Sequence, residues 1–396
     1  HLSLEIDRSA LSYNNATLWL KQMPSLRSFT LIGSPSKPFQ VPPMSGLRQL
    51  YIHTTGIGSL ELPALPSLTR LLVCGRKLKP SSFPNLAKMT TLESLWMTDQ
   101  TDLLLLSSHL PPQLEHLLLM RDDTANLGVN DMTTKGQNTF WTNMMKLTRL
   151  SSFAIPCVEI PQPVLERLKP SQLSSAFFDS IEIGNSSSLW TEVLSKLNTL
   201  GIRSRKRNDQ LVPILQKCTQ LTKLDLKFPP IEVDRWILAL DGLYGLVELS
   251  LNAPHTEMPR AFYFPNLTCI NIKLIVSPTD LPAFADFLER HPGLTQLGIT
   301  FANNIDFEQS WKILFKQPAL INLHLWDITN NATECMAKAI NAVGFPSNLR
   351  HLSWNSRNGS YRLSEPLPQD IMLTHFQRGE IPNNIRRHQT LVGLHT

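Results

Sequence analysis

Leu221-Thr222-Lys223-Leu224-Asp225-Leu226 carries apolar side chains at its first, fourth and sixth positions, and that spacing returns along the whole chain. Leu47-Arg48-Gln49-Leu50-Tyr51-Ile52 and Leu294-Thr295-Gln296-Leu297-Gly298-Ile299 are two more copies. Fourteen copies stand in register, beginning at Leu26, Leu47, Leu68, Leu92, Leu114, Leu150, Leu173, Leu197, Leu221, Leu246, Leu267, Leu294, Leu320 and Leu349. The weakest is Leu173-Ser174-Ser175-Ala176-Phe177-Phe178, where Ala176 replaces a large residue. General leucine richness does not hold one register this long. In a short strand, alternate side chains face opposite ways. The apolar positions of each copy therefore point inward, and the third and fifth point away from them.

Most copies start 21 to 29 residues after the one before, the period of a leucine-rich repeat. No single copy can bury its apolar face alone, so the units must stack. The expected fold is α/β: a right-handed leucine-rich-repeat solenoid, or horseshoe, over residues 1–396. Its concave side is a parallel β-sheet, and its convex side is mixed extended and helical. Early connectors are short and proline-rich, as in Leu62-Pro63-Ala64-Leu65-Pro66, which disfavours helix. Later ones carry i, i+3, i+4 apolar spacing: Leu211, Ile214 and Leu215; Trp236, Ile237 and Leu240; Phe284, Phe287 and Leu288; Trp311, Leu314 and Phe315. These predict helices packed on the sheet.

Two gaps break the period, predicting insertions at about 121–148 and 355–390. The first should hold a short helix near Trp141. His1-Leu2-Ser3-Leu4-Glu5-Ile6 already reads as a strand, and Leu391-Val392-Gly393-Leu394 as another repeat starting. The expectation is a chain cut inside a repeat at both ends.

The net charge is +5 and 42% of residues are hydrophobic, a mild basicity on a well-supplied core. The dense basic run, Arg203-Ser204-Arg205-Lys206-Arg207, reads as a solvated turn after a strand rather than a nuclear-import or anion-binding patch. Five cysteines, Cys74, Cys157, Cys218, Cys269 and Cys335, are widely spaced, with no CxxC pair. Secreted repeat proteins usually close their ends with clustered disulfides, so an intracellular location, cytoplasm or nucleus, is expected. No apolar run approaches the roughly 20 residues of a membrane span. Five N-x-S/T sequons, at Asn15, Asn185, Asn266, Asn331 and Asn358, are what a chain rich in Asn, Ser and Thr produces by chance.

No phosphate loop, HExxH helix or GxSxG elbow is present. His116, His324 and His351 fall at outward strand positions, and Asp99, Asp102, Asp122 and Asp123 look like turn formers. No enzyme, cofactor or metal chemistry is expected. The fifth positions carry a different signal. Tyr51, Leu72, Trp96 and Leu118 occupy four consecutive copies, on a face that should meet water. With Met120 beside them they form the candidate partner-binding stripe. Later copies place polar residues there, including Asp225, Asn271 and His324.

Leu211-Val212-Pro213-Ile214-Leu215-Gln216-Lys217-Cys218-Thr219-Gln220-Leu221-Thr222-Lys223-Leu224-Asp225-Leu226, and the stretch from Phe284 to Ile299, resemble the irregular repeats of F-box leucine-rich-repeat proteins. In both, a short helix leads into a strand through a Cys- or Pro-containing turn. The resemblance covers nearly the whole chain. It implies repeats that capture a substrate for a ubiquitin ligase, with a Skp-type adaptor held by an F-box. No F-box helices precede the first repeats, so adaptor binding is carried over to no residue here; the implied F-box lies upstream of His1. The alternative is the ligand-sensing repeat region of a receptor or innate-immune sensor.

Overall fold

A computed structural model of the chain describes residues 2–6, 20–33, 41–54, 59–74, 77–78, 82–98, 103–120, 134–155, 160–168, 172–178, 181, 183, 186–203, 210–227, 240, 242–252, 263–276, 279, 281–301, 307–328, 347–356 and 372–376. They fall into two compact units, His1–Ile202 and Arg203–Thr396. The first holds β1 (Leu2–Ile6), β2 (Ser28–Gly33), β3 (Gln49–Thr54), β4 (Ser59–Leu60), β5 (Arg70–Cys74), β6 (Lys77–Leu78), β7 (Ser94–Thr98), β8 (His116–Met120), β9 (Ser152–Ile155), β10 (Ser175–Phe178) and, but for its last residue, β11 (Thr199–Arg203). All but β4 and β6 form an all-parallel sheet in chain order. The short β4 and β6 pair with each other among the connectors.

The second unit holds β12 (Lys223–Lys227), β13 (Glu248–Asn252), β14 (Cys269–Val276), β15 (Gln296–Phe301), β16 (Asn322–Ile328), β17 (His351–Ser356) and β18 (Met372–Phe376), again all parallel and in chain order. Each unit is thus an open α/β sheet of repeated strand-and-connector units. β1 bears out the strand read at the start of the sequence. β18 lies inside the stretch expected to be an insertion at about 355–390. Its register places Met372 opposite His351 and Leu373 opposite Leu352. The sixth position there is His375, opposite Trp354, which hides the repeat from a search for apolar spacing.

Within each unit the described copies enter their strands through one kind of junction. The second-position carbonyl of one copy accepts two N–H groups from the next. Arg48 and Gln49 donate to Arg27, Thr69 and Arg70 to Arg48, and Thr295 and Gln296 to Thr268, at 2.8–3.1 Å. The first-position leucine then closes a turn, as when Leu68 donates to the Leu65 carbonyl at 3.1 Å. Buried backbone groups must find partners, and this arrangement supplies them once per repeat. Most described first-, fourth- and sixth-position side chains are buried, and Leu92, Leu95 and Met97 are fully so.

In many of the described copies the residue three places before the repeat leucine is a further core position, occupied by Met44, Leu65, Met89, Leu194, Cys218, Leu243 and Phe264; Met23, before Leu26, is exposed. Gln317 takes this place before Leu320, 5% exposed, and its Oε1 has no hydrogen-bond partner. An unpartnered buried acceptor costs about 1–3 kcal/mol. Gln317→Leu is therefore expected to stabilise the chain by about 1 kcal/mol, read as a higher urea midpoint. An unchanged or lower midpoint contradicts the assignment.

The connectors follow their sequences. Leu62-Pro63-Ala64-Leu65-Pro66 is not helical. Leu62 is fully buried, and side chains of the next connector satisfy its backbone. Its N–H donates to Ser82 Oγ at 2.9 Å, and its carbonyl accepts from Asn85 Nδ2 at 2.8 Å. The helices with both ends among the described residues are α1 (Phe83–Ala87), α2 (Leu103–Ser107), α3 (Thr134–Met144), α4 (Gln162–Leu168), α5 (Ser187–Leu194), α6 (Leu211–Leu215), α7 (Leu281–Arg290) and α8 (Phe307–Phe315). Leu211, Ile214 and Leu215 of α6, Phe284, Phe287 and Leu288 of α7, and Trp311, Leu314 and Phe315 of α8 are all buried, as their spacing predicted. Of the Trp236 set, only Leu240 lies among the described residues, and it is buried. No helix of the described residues is long and apolar enough to cross a membrane.

Candidate interaction surface

β3, β5, β7 and β8 are adjacent and unshifted in register. Tyr51 aligns with Leu72, Leu72 with Trp96, and Trp96 with Leu118. Their neighbours along each strand, Leu50, Leu71, Leu95 and Leu117, are buried at no more than 1% exposure. The pleat therefore turns the four fifth-position side chains to the open face. Tyr51, Leu72 and Leu118 are half-buried there, and Trp96 is 37% exposed. Met120 ends β8 opposite Thr98; its side chain lies outside the described residues.

The row does not stop at Leu118. Leu118 aligns with Ala154, Ala154 with Phe177, and Phe177 with Gly201. Ala154 is buried at 3% exposure although it faces the open side, because its small side chain sits between Leu118 and Phe177. The Phe177 ring lies over Gly201, where a Cβ would come within 2.0 Å of the ring. Glycine at 201 is what lets the aromatic lie down. Six adjacent strands, β3 to β10 without β4 and β6, thus share one apolar row. The sequence alone shows only its first four residues, because Ala154 and Gly201 look like gaps in an apolar series.

The insertion between Leu114 and Leu150 could have covered this row. Its described part is α3, which confirms the helix expected near Trp141, and it packs elsewhere. Phe140, Trp141 and Met144 are buried. Asn143 Nδ2 donates to Ser107 Oγ of α2 at 3.2 Å, which seats α3 among the connectors. Residues 121–133, with Asp122 and Asp123, lie outside the described residues, as do Asp99 and Asp102.

The second unit shows a polar open face. Its fifth positions run Asp225, Ser250, Asn271, Gly298, His324, Ser353 and Thr374. Lys223 and Glu248 form an ion pair at 2.7 Å across the third positions, exposed and of little energetic weight. Burial and the nearby His351 push the His324 pKa down. His116 is exposed on β8 of the first unit.

Among the described residues no group of three metal-binding side chains exists. Cys74, Cys218 and Cys269 are free thiols. Burial raises the Cys218 pKa to about 12. Burial, then the Glu248 charge, raises that of Cys269 to about 11, so both stay as protonated, unreactive thiols. Cys157, Cys335 and residues 204–207 of the basic run lie outside the described residues, as do the sequons other than Asn266. Asn266 is exposed, and its Nδ2 donates to the Tyr244 carbonyl at 3.1 Å.

No protein-family model matches the chain, and no curated protein matches it. Among solved structures it is similar to a crystal structure of a Bacteroides fragilis protein, at 14% identity and a TM-score of 0.30. That alignment covers 53% of this chain, and this chain spans 60% of the other.

Proposed function

We propose that this chain is a leucine-rich-repeat scaffold whose concave face captures another protein. We further propose that it is the substrate-recognition repeat region of an F-box-like ubiquitin-ligase component, working inside the cell. The observation that carries the binding reading is the apolar row from Tyr51 to Phe177 with Trp96 at its exposed centre. Isolated exposed apolar residues are common on any protein surface, whereas a contiguous row marks an interaction site. Tyr and Trp are frequent energetic anchors of such sites. The ligase part rests on the repeat resemblance alone.

Trp96→Ala tests the row. Its side chain is not needed to fill the core, so the unfolding midpoint should stay within about 0.5 kcal/mol of the parent. Affinity for the captured partner should fall by about 1–2 kcal/mol, as for a central aromatic anchor. The measurement is isothermal titration with the partner recovered by proximity labelling of the full-length protein in its own cells. Loss of folding without a separable loss of binding places Trp96 in the core instead. Recovery of a Skp-type adaptor in the same labelling supports the ligase assignment. Recovery of extracellular proteins alone removes it in favour of a receptor.

A further inference from the structure

A one-sided charge runs along the edge of the first unit's sheet where its strands begin, beside the apolar row. Arg27 and Arg48 precede the third positions of β2 and β3, and Arg70 is itself the third position of β5; all three are exposed. Arg27 donates to the Gly46 carbonyl at 3.4 Å. Arg48 and Arg70 have no side-chain hydrogen bond or ion pair among the described residues. On β7 and β8 the residues corresponding to Arg48 are Glu93 and Glu115, and Glu115 is neutralised by Arg149. Positive potential therefore gathers at the Tyr51–Leu72 end of the row and fades toward Leu118.

The spacing of the row also selects its occupant. Neighbouring strands sit about 4.8 Å apart, and one turn of α-helix rises about 5.4 Å. Across the three intervals from Tyr51 to Leu118 a helix lying over the strands drifts by only about 2 Å. An extended segment repeats its same-face side chains about every 6.7 Å and drifts by about 6 Å over the same distance. This face also presents side chains rather than free strand edges, so an added strand gains no backbone pairing here.

We infer that the occupant is an amphipathic helix of the partner protein, laid across β3 to β8. Its apolar side chains follow i, i+3 or i+4, and i+7 spacing along the row, and its acidic end lies over Arg27, Arg48 and Arg70. This rests on the binding reading above and adds the partner's secondary structure and charge. Apolar anchors give the affinity, and the arginines fix which way the helix runs.

The test uses the full chain and a phage-displayed library of 18-residue, helix-biased peptides with randomised faces. The enriched pool should carry apolar residues at helical spacing and Asp or Glu concentrated at one end. Binding of a synthesised member should fall at least tenfold with Trp96→Ala. It should fall at least tenfold with the double variant Arg48→Glu/Arg70→Glu, and that second loss should shrink in 0.5 M salt. Both variants alter exposed side chains, and circular dichroism checks that each remains folded. Peptides that need Trp96 but are neutral or basic, or that ignore the arginine reversal, overturn this inference and leave the binding reading standing. Binders indifferent to both variants overturn both. A library yielding no binder overturns the helical occupant.

Discussion

Phe178→Ala is expected to destabilise the first unit by about 3–5 kcal/mol, whereas Phe177→Ala, one residue earlier, should cost less than about 1 kcal/mol. The two rings are neighbours in sequence and opposites in the fold. Phe178 is 1% exposed and makes edge-to-face contacts with Phe153 at 5.3 Å and Trp190 at 5.4 Å. Truncating it removes a buried aromatic from a close-packed cluster and leaves a void between β9, β10 and α5. Phe177 lies on the open face over Gly201, where its loss opens only surface. Urea unfolding of both variants, followed by tryptophan fluorescence, makes the comparison. Repeat proteins can unfold in stages, so the early transition of the first unit is the one to compare. Equal losses would mean that the register at β10 is slipped by one residue, which would turn every side chain of that strand to the other face.

His291 gives the second large effect. It occupies the core position three residues before Leu294 and is 3% exposed. Nδ1 donates to the Phe287 carbonyl at 2.6 Å, and Nε2 accepts from the Phe264 N–H at 3.0 Å. The ring also stacks at a tilt on Phe287, with centroids 4.2 Å apart. A ring that accepts at one nitrogen and donates at the other is neutral. His291→Leu leaves the Phe264 N–H buried without an acceptor and should cost about 3 kcal/mol at pH 7.5.

Burial, first, and then the Arg290 charge push the His291 pKa below its ordinary 6.5, against the opposing pull of the Phe287 carbonyl. The unfolded state therefore takes up the proton more readily than the folded one. The histidine's contribution is complete above about pH 6.5 and declines as pH falls toward the lowered value. The gap in stability between parent and His291→Leu should narrow over that acid range. Urea midpoints measured from pH 7.5 to 5 check it. A gap that widens on acidification would mean that the folded state holds the charged ring.

Legibility in the sequence differs from residue to residue. The inward leucines can be read because a parallel stack requires the same spacing in every copy, and burial against like neighbours selects a large aliphatic side chain at each of those positions. Helices α6, α7 and α8 can be read through their 3.6-residue period. β18 cannot, because His375 stands where an apolar residue is sought, and pairing with β17 is what defines that strand. His291 is unremarkable among eleven histidines. Its importance appears only when the turn positions of all the copies are aligned and the Phe264 N–H is found beside it.

The interaction row divides in the same way. Tyr51, Leu72, Trp96 and Leu118 are legible as a stripe because alternation along a strand is local geometry, fixed by chirality and the pleat. That α3 packs on α2 rather than over the stripe is a tertiary outcome, decided by where Phe140 and Trp141 could be buried. The continuation through Ala154 to Phe177 is tertiary as well, since it depends on the strand register and on a glycine at 201 that leaves room for a ring. Sequence by itself determined the repeat, its period and the inward face, because each unit must bury the same apolar side. Only the tertiary structure decided which outward residues touch, because that depends on neighbours brought together from copies more than twenty residues apart.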